Sequence, residues 1–227
     1  MSPMVGKIIA VVVLLLLVGC DDTRVRSENR SVEDVVEGEK KVAPALATAA
    51  VVAINIEHPT AKLYYKGPVV TDMVTAGLSE SGLFKVIDWS RLSSVLFRRN
   101  LEWSDVTENS EQRQQIQDLL LNDYFLTGSI SAFTERMEFG SSALSKERTQ
   151  IAQVHLELFL KDAFTNEIIL SSSSEGRAEK KVTRHLGFGM AGGTDTTLAY
   201  EALSQAIHVA IEELEEKLSA RGGKDHE

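Results

Sequence analysis

The chain has a single cysteine, Cys20, which stands at the end of an N-terminal apolar run. The run, Ile8–Val18, follows Lys7 and fits the roughly 7–15-residue core of a secretory signal. It is shorter than the ~20 residues that a membrane-spanning helix needs. A lone cysteine has no disulfide partner within the chain. The exported protein must therefore be held together by a hydrophobic core, although its compartment would permit disulfides.

The four residues that end this run indicate how the protein is processed. Leu17-Val18-Gly19-Cys20 resembles the bacterial lipobox, in which cleavage before the cysteine is followed by lipidation of its thiol. We expect residues 1–19 to be a lipoprotein signal peptide and Cys20 to carry the lipid that anchors the protein to a membrane. Stable anchoring needs more than one acyl chain, because each buried methylene contributes about 0.8 kcal/mol. The alternatives are an ordinary signal peptide cleaved elsewhere and an uncleaved anchor.

Composition and charge are those of a folded, acidic protein. The chain is 43% hydrophobic and 25% charged, the balance of a globular domain, and its net charge is −9. Nucleic-acid binding is disfavoured, because it requires a basic stripe that neutralises phosphates. We expect residues 20–49 to hold the lipidated cysteine and a flexible polar tether, residues 50–221 to form one α/β domain, and residues 222–227 to be a disordered tail. Ala45–Ala50 fits either the tether or the first turn.

Hydrophobic patterns in the first half of the domain predict short strands separated by helices. Val51–Ile56 is an apolar run that His58-Pro59 stops, which is typical of a buried strand. A loop is predicted at residues 64–68, and strands are predicted at Phe84–Ile87 and Tyr124–Ile130.

Three helices are predicted from the spacing of their apolar residues. The first has one apolar face, made of Val69, Val70, Met73, Val74, Gly77 and Leu78. The second is capped by Asp88 or Ser90 and reaches Arg99, and its inward residues are Leu92, Val95 and Leu96. The third spans Glu111–Leu121, and its inward residues are Ile116, Leu119 and Leu120.

The second half reads as an antiparallel hairpin followed by a helix. Residues 153–160 alternate between mostly polar and apolar side chains, the period of a half-buried strand. A turn at Asp162–Asn166 lets the strand Glu167–Ser173 return antiparallel. The fold class is therefore α/β (α+β), a mixed and partly antiparallel sheet packed with helices and ending in a long C-terminal helix. That helix is expected from about Thr196 to Ala220, with Leu203, Ile207, Ala210, Leu214 and Leu218 on its core face and a Glu213–Lys217 pair.

Several strings in this pattern resemble the CsgG-like family, the lipoproteins of curli and related adhesin secretion. They are Gly77–Asp88, Arg91-Leu92, Tyr124–Ile130 and Leu160–Ile169, and the resemblance covers roughly residues 50–220. Lipoproteins of the LpoB kind, which activate peptidoglycan synthases, share parts of the same pattern. The resemblance implies a periplasmic α/β domain that a lipid anchors in the envelope of a Gram-negative bacterium.

In curli secretion such domains form a ring that a loop after the first strand narrows, and each contributes two β-hairpins to an outer-membrane barrel. Tyr64 and Tyr65 lie in the stretch that corresponds to this loop, which makes them candidates for a constriction or an interface; the alternative is a pair of half-exposed loop aromatics.

Residues 133–150 and 171–193 correspond to the hairpins, but they lack an unbroken apolar face. Because Arg or Lys facing lipid costs about 2–4 kcal/mol at mid-depth, we expect no barrel from this chain alone. Insertion within an oligomer, with the charges in a lumen, is the alternative.

Motifs for catalysis, cofactors and metals are weak. Residues 187–192 match GxGxxG, but no buried strand precedes them and the next helix starts later, so a glycine-rich loop is favoured over nucleotide binding. His155 and Glu157 share a strand face, but it is the polar one, so a solvated surface is favoured over a site. We expect no enzyme activity, no cofactor and no metal. The five histidines, none of which pairs with a second ligand at metal spacing, are His58, His155, His185, His208 and His226.

These features together predict a non-enzymatic, lipid-anchored periplasmic protein that takes part in the secretion or assembly of curli- or adhesin-type surface structures. We expect a homo-oligomer that binds other envelope proteins and no nucleic acid. The alternative is an LpoB-like activator that docks on a peptidoglycan synthase. Asp21, next to the lipidated cysteine, hints at the inner membrane, whereas the family resemblance points to the outer membrane. The sequence leaves both membranes open.

Overall fold

The computed structural model describes residues 46–141, 145–185 and 196–222. Cys20, the expected tether up to residue 45, the GxGxxG motif and His226 lie outside the described residues. The helices are α1 (Ala61–Tyr64), α2 (Gly67–Ser81), α3 (Trp89–Arg99), α4 (Trp103–Glu108), α5 (Ser110–Leu120) and α6 (Thr196–Gly222). The strands are β1 (Thr48–Val51), β2 (Asn55–Ile56), β3 (Lys85–Ile87), β4 (Tyr124–Ser141), β5 (Ser145–Asp162) and β6 (Ile168–His185).

The strands form one mixed sheet in the order β3-β1-β4-β5-β6, and β2 pairs with β4 beside β1. β1 runs parallel to both β3 and β4, because helices connect these strands. β4, β5 and β6 are antiparallel neighbours joined by short connections. The predicted fold class, a mixed and partly antiparallel sheet packed with helices, is confirmed.

Helices cover the two faces of the sheet with separate hydrophobic cores. α2 and α6 pack on one face, against Leu126 of β4 and the apolar side of β5. α3, α4 and α5 pack on the other face, around Phe125. Beyond these helices, the second face of β5 and β6 carries polar side chains such as His155 and Ser173, which are partly or fully exposed. Among the described helices, none has the length and apolarity needed to cross a membrane.

Most of the predicted elements are confirmed, and their local causes are visible. Asp88 caps α3, since its Oδ1 accepts a hydrogen bond of 2.8 Å from the backbone N–H of Arg91. Gly82 ends α2 with a φ of +68°, a left-handed conformation that favours glycine. Glu213 and Lys217 form the predicted pair on α6, 2.7 Å apart. The predicted core residues of α3, which are all buried, are Leu92, Val95 and Leu96.

The apolar run at residues 51–56 forms two strands rather than one. β1 begins at Thr48, so Ala49 and Ala50 are fully buried strand residues instead of part of the tether or a turn. β2 is a separate two-residue strand that pairs with Ser129 and Ile130 of β4. The pairing register with β4 changes between β1 and β2, so the predicted single strand is divided in two.

The helical layer on the second face differs from the prediction in two places. α4 was not predicted; a capping box between Glu102 and Asp105 starts it. In α5 the predicted core residue Leu119 is wrong, since its side chain is 45% exposed. Arg113 takes the inward place instead, where its guanidinium donates to the carbonyls of Val106 and Phe164. This buried arginine ties α4 and α5 to the turn after β5.

β4, β5 and β6 continue well past the strands predicted from the sequence. Their distal residues, 133–141, 145–153 and 177–185, remain paired across the three strands. Charged side chains there face solvent and pair locally, as in the Lys181–Glu147 ion pair of 2.9 Å and the Arg177–Glu179 pair of 2.9 Å. Phe139 is 77% exposed at the end of β4. The charged side chains of these distal residues therefore form the solvated surface of a long antiparallel sheet.

Candidate functional site

The segment that holds Tyr64 and Tyr65 crosses the α6-covered face of the sheet between α1 and α2. Tyr65 has extended backbone angles, φ −106° and ψ 139°, and α2 starts two residues later with Pro68 in its first turn. Tyr64 closes the last turn of α1, so the two adjacent rings point into different surroundings. The structure places the Tyr65 ring inside the core and leaves the Tyr64 ring at its edge.

Tyr65 is a core residue. Its side chain is 2% exposed, and its hydroxyl donates a 2.8 Å hydrogen bond to the backbone carbonyl of Ala199 in α6. The ring meets Phe133 and Tyr200 edge to face, with centroids 5.3 Å and 5.5 Å away. Burial raises the pKa of the Tyr65 phenol, and nearby Tyr200 adds to the rise. The alternative of a half-exposed loop aromatic is wrong for Tyr65, because this buried ring joins α6 to the sheet.

Tyr64 is partly buried and fastens α1 to the distal part of β4. Its ring lies 4.6 Å from that of Phe133, and its hydroxyl donates to a carboxylate oxygen of Glu135. Burial first, then the hydrogen bond and the charge of Glu135, raise the pKa of Tyr64 to about 12. Gln150 of β5 donates to the other oxygen of the same carboxylate. Glu135 therefore connects three elements at the base of the distal sheet.

These contacts define an aromatic cluster, made of Tyr64, Tyr65, Phe133 and Tyr200 and closed by Glu135. Sequence patterns did not identify Phe133, Glu135 or Tyr200 as its members. Phe133 and Glu135 stand two apart on β4, so they share a face of the sheet, and this spacing was the available signal. Next to the cluster, Leu63 is 81% exposed on α1. The outward surface of the segment thus consists of Leu63 and the edge of Tyr64, whereas Tyr65 serves as its anchor.

The polar face of β5 and β6 brings a serine, a histidine and a glutamate together, and the geometry speaks against a catalytic relay. Nε2 of His155 lies 3.0 Å from Ser173 Oγ and 3.6 Å from Glu157 Oε1. A hydrolase relay needs the two imidazole nitrogens to contact serine and carboxylate separately. Here one nitrogen faces both groups on an exposed surface. Among the described residues, no group of three histidine, cysteine, aspartate or glutamate side chains is placed to hold a metal ion.

Comparisons with known proteins give one family. The model of the family described as curli production assembly/transport component CsgG matches residues 32–226. A comparison with curated proteins finds no match.

Three solved structures illustrate more distant similarity. The lipoprotein GNA1162 from Neisseria meningitidis is 13% identical, with 75% of this chain and 99% of that chain covered and a TM-score of 0.44. The C-terminal domain of LpoB from Escherichia coli is 18% identical, with 59% and 84% covered and a TM-score of 0.40. The PelC dodecamer from Paraburkholderia phytofirmans is 15% identical, with 74% and 89% covered and a TM-score of 0.35.

Proposed function

This chain belongs to the CsgG family, and from that premise we propose that it is a lipid-anchored periplasmic protein that assists the secretion or assembly of cell-surface structures. It acts by docking on other envelope proteins as a homo-oligomer, with Cys20 as the lipid-bearing residue. The single observation that carries the proposal is the family match, which spans the whole folded domain.

The surface of the domain supports docking rather than chemistry. The aromatic cluster uses its polar atoms internally, because the hydroxyls of Tyr64 and Tyr65 both donate to protein acceptors. The His155–Ser173 contact lacks the separate nitrogen contacts of a relay. By contrast, large apolar side chains such as Leu63, Phe97 and Phe139 are 81%, 85% and 77% exposed. Aromatic side chains are enriched at protein interfaces, so Phe97 and Phe139 are candidates for such contacts.

The distal sheet is proposed to stay in water or against protein. Its exposed face carries ion pairs, including Arg136–Glu138 at 3.4 Å and Arg177–Glu179 at 2.9 Å. Placing such pairs in lipid would leave charges without solvation, at about 2–4 kcal/mol for each Arg or Lys near the bilayer centre. This supports a contact role for the long strands.

The test is the identity of the bound partner. Cross-linking in intact cells, extraction in detergent and mass spectrometry of the eluate should recover fibre or adhesin subunits, or components that secrete them. Cys20→Ala, which removes the proposed anchor, should reduce that recovery because the protein no longer concentrates at the membrane. Recovery of peptidoglycan synthases in place of such components would contradict the proposal and favour an LpoB-like role.

A further inference from the structure

A groove runs between α2 and α6 on the first face of the domain. It has a volume of about 670 Å³. Gly77 lets the helices lie close together, since a Cβ on this residue would be 2.9 Å from Ile211 Cδ1. Of the described residues that line it, three are glutamates, one is a histidine and none is Lys or Arg. Its apolar floor includes Met73, Gly77, Ile207 and Ile211, and its exposed rim carries Glu80, Glu212 and Glu215. We call this the α2–α6 groove.

α3 carries the opposite feature. Phe97 projects from it with 85% of its side chain exposed and lines an open hollow with Arg98. The exposed arginines Arg91 and Arg99 lie further around the same helix. The three arginines surround a hollow of about 300 Å³ against Leu119 of α5. Among the described residues none of their guanidinium groups forms an ion pair, and Arg98 Nε donates only to the carbonyl of Ser94. We call Phe97 with these arginines the α3 knob. In a chain of net charge −9, it is a concentrated positive and apolar surface.

The knob and the groove lie on opposite faces of the sheet. α3 packs through Leu92 and Leu96 into the core around Phe125, whereas α2 and α6 pack into the core around Leu126. The two surfaces of one molecule are therefore directed away from each other. A contact between them has to join two molecules.

We propose that the α3 knob of one copy docks in the α2–α6 groove of the next copy. This rests on the homo-oligomer of the proposed function and names its interface. Phe97 enters the apolar floor, while the arginines face the glutamates of the rim. Because the two surfaces differ, the contact is head to tail and extends to a ring or a filament; it does not close as a two-fold dimer. Burial of the aromatic side chain supplies most of the affinity, and the charges fix the orientation and exclude other registers.

Disulfide trapping tests the contact directly. The variant Ser94→Cys/Ala76→Cys keeps Phe97 and places one thiol beside it on α3 and one at the groove, and both positions are exposed. Mild oxidation of full-length protein in membranes should give covalent dimers, trimers and higher species on a non-reducing gel. Ser94→Cys alone and Ala76→Cys alone should give no such series, because a head-to-tail contact needs one thiol of each kind. A strong dimer from either single variant would overturn the head-to-tail arrangement.

Charge reversal gives an independent readout. Arg98→Glu/Arg99→Glu should weaken self-association about tenfold or more, and Glu212→Arg/Glu215→Arg should do the same. The combined four-residue variant should recover wild-type association, since the pairs are restored with opposite sign. Arg136→Glu/Lys181→Glu is the matched control, which changes the same charge on the distal sheet and should leave association unchanged. Light scattering in detergent measures the self-association of each variant.

The outcomes separate this interface from the proposed function. If the protein is oligomeric but forms no disulfide-linked species and the four-residue variant does not recover association, the proposed interface is wrong and the oligomer forms through other surfaces. If it is monomeric at all concentrations, both fail. If Arg98→Glu/Arg99→Glu abolishes binding to anionic vesicles or to an acidic envelope protein while self-association persists, the knob serves that partner and the proposal is overturned.

Discussion

Gly176 of β6 lies directly beneath the carbonyl of Ala202 in α6. A Cβ built on Gly176 would stand 1.8 Å from that carbonyl oxygen, a distance no two such atoms can share. At this point α6 lies so close to β6 that only a residue without a side chain fits beneath it. The contact is fixed by backbone atoms that cannot move aside, so it sets the height of α6 over the sheet.

Gly176→Ala should lower the free energy of unfolding by about 3 kcal/mol or more, since overpacking in a core typically costs 1–3 kcal/mol even where side chains can adjust. Urea denaturation followed by circular dichroism measures the change. Gly67→Ala is the control, because a Cβ there meets nothing within 4 Å. Equal stability of the two variants would show that α6 is not seated on β6 at this point.

The Asp88 cap should make α3 sensitive to acid. Hydrogen bonds from the backbone N–H of Arg91 and the hydroxyl of Ser90 hold the pKa of Asp88 below its usual value. Because the folded pKa is lower than the unfolded one, this stabilisation is present above about pH 4 and is lost as the pH falls through the folded pKa. Asp88→Ala should cost about 1 kcal/mol at neutral pH, whereas Asp88→Asn, which keeps a capping oxygen, should cost little. In urea denaturation at pH 2 the stability gap between wild type and Asp88→Ala should be smaller than at neutral pH; a constant gap would contradict the assignment.

Tyr64 and Tyr65 should behave differently although they are adjacent. Tyr65→Ala removes a buried ring and should cost about 3–5 kcal/mol of stability. Tyr65→Phe, which loses the hydrogen bond to Ala199, should cost about 0.5–1.5 kcal/mol. Tyr64→Ala should cost clearly less than Tyr65→Ala, because its ring is only partly buried. If Tyr64→Ala is the more damaging to folding, the placement of the two rings is reversed.

Alkaline titration checks the same cluster. The phenol of Tyr64, with its pKa raised to about 12, should stay protonated in the native protein at pH 11. The folded state then holds a proton that the unfolded state has released, so stability should fall as the pH rises above about 10. The ultraviolet absorbance of tyrosinate measures the titration, and Tyr64→Phe identifies the contribution. If the wild type shows a tyrosinate signal near pH 10 that Tyr64→Phe lacks, Tyr64 titrates at its ordinary pKa and the raised pKa is contradicted.

The free edge of β6 is covered by side chains of α6. Lys217 Nζ donates to the carbonyl of Ser171 at 2.6 Å, and Glu213 Oε2 accepts from the N–H of Ser173 at 3.2 Å. Glu213→Ala/Lys217→Ala should expose these backbone groups, lower stability by about 1–2 kcal/mol and promote aggregation through the edge. Thioflavin fluorescence and denaturation measure both effects. Glu216→Gln is the control. If the double variant is as stable as this control and aggregates no more, the edge of β6 does not need the cover of α6.

Elements with strong periodicity could be predicted from the sequence. The inward stripe of α3 followed from the spacing of Leu92, Val95 and Leu96, and all three are buried. The polar–apolar alternation around Leu156 predicted the central antiparallel strand in the same way. Both patterns repeat over enough residues to distinguish a helix from a strand.

Short or charged elements could not be predicted, because their structure depends on partners distant in sequence. α4 buries only Val106, so it offers no stripe to recognise. The family resemblance placed a hairpin at residues 133–150, but the charged pattern of these residues did not show how far β4 runs, because pairing with β5 is what keeps them extended. Tyr65 looked like a loop residue, and its burial arises from Ala199 and Tyr200, more than 130 positions away. Tertiary contacts, rather than local pattern, decide these three cases.

The most direct test of the central claim, a lipid-anchored envelope protein, is intact mass spectrometry of the mature chain extracted from membranes. The predicted result is a chain that begins at Cys20 and carries acyl groups whose mass a lipase or hydroxylamine treatment reduces. A chain that retains residues 1–19 and a Cys20 thiol that maleimide modifies in the cytosol would contradict it.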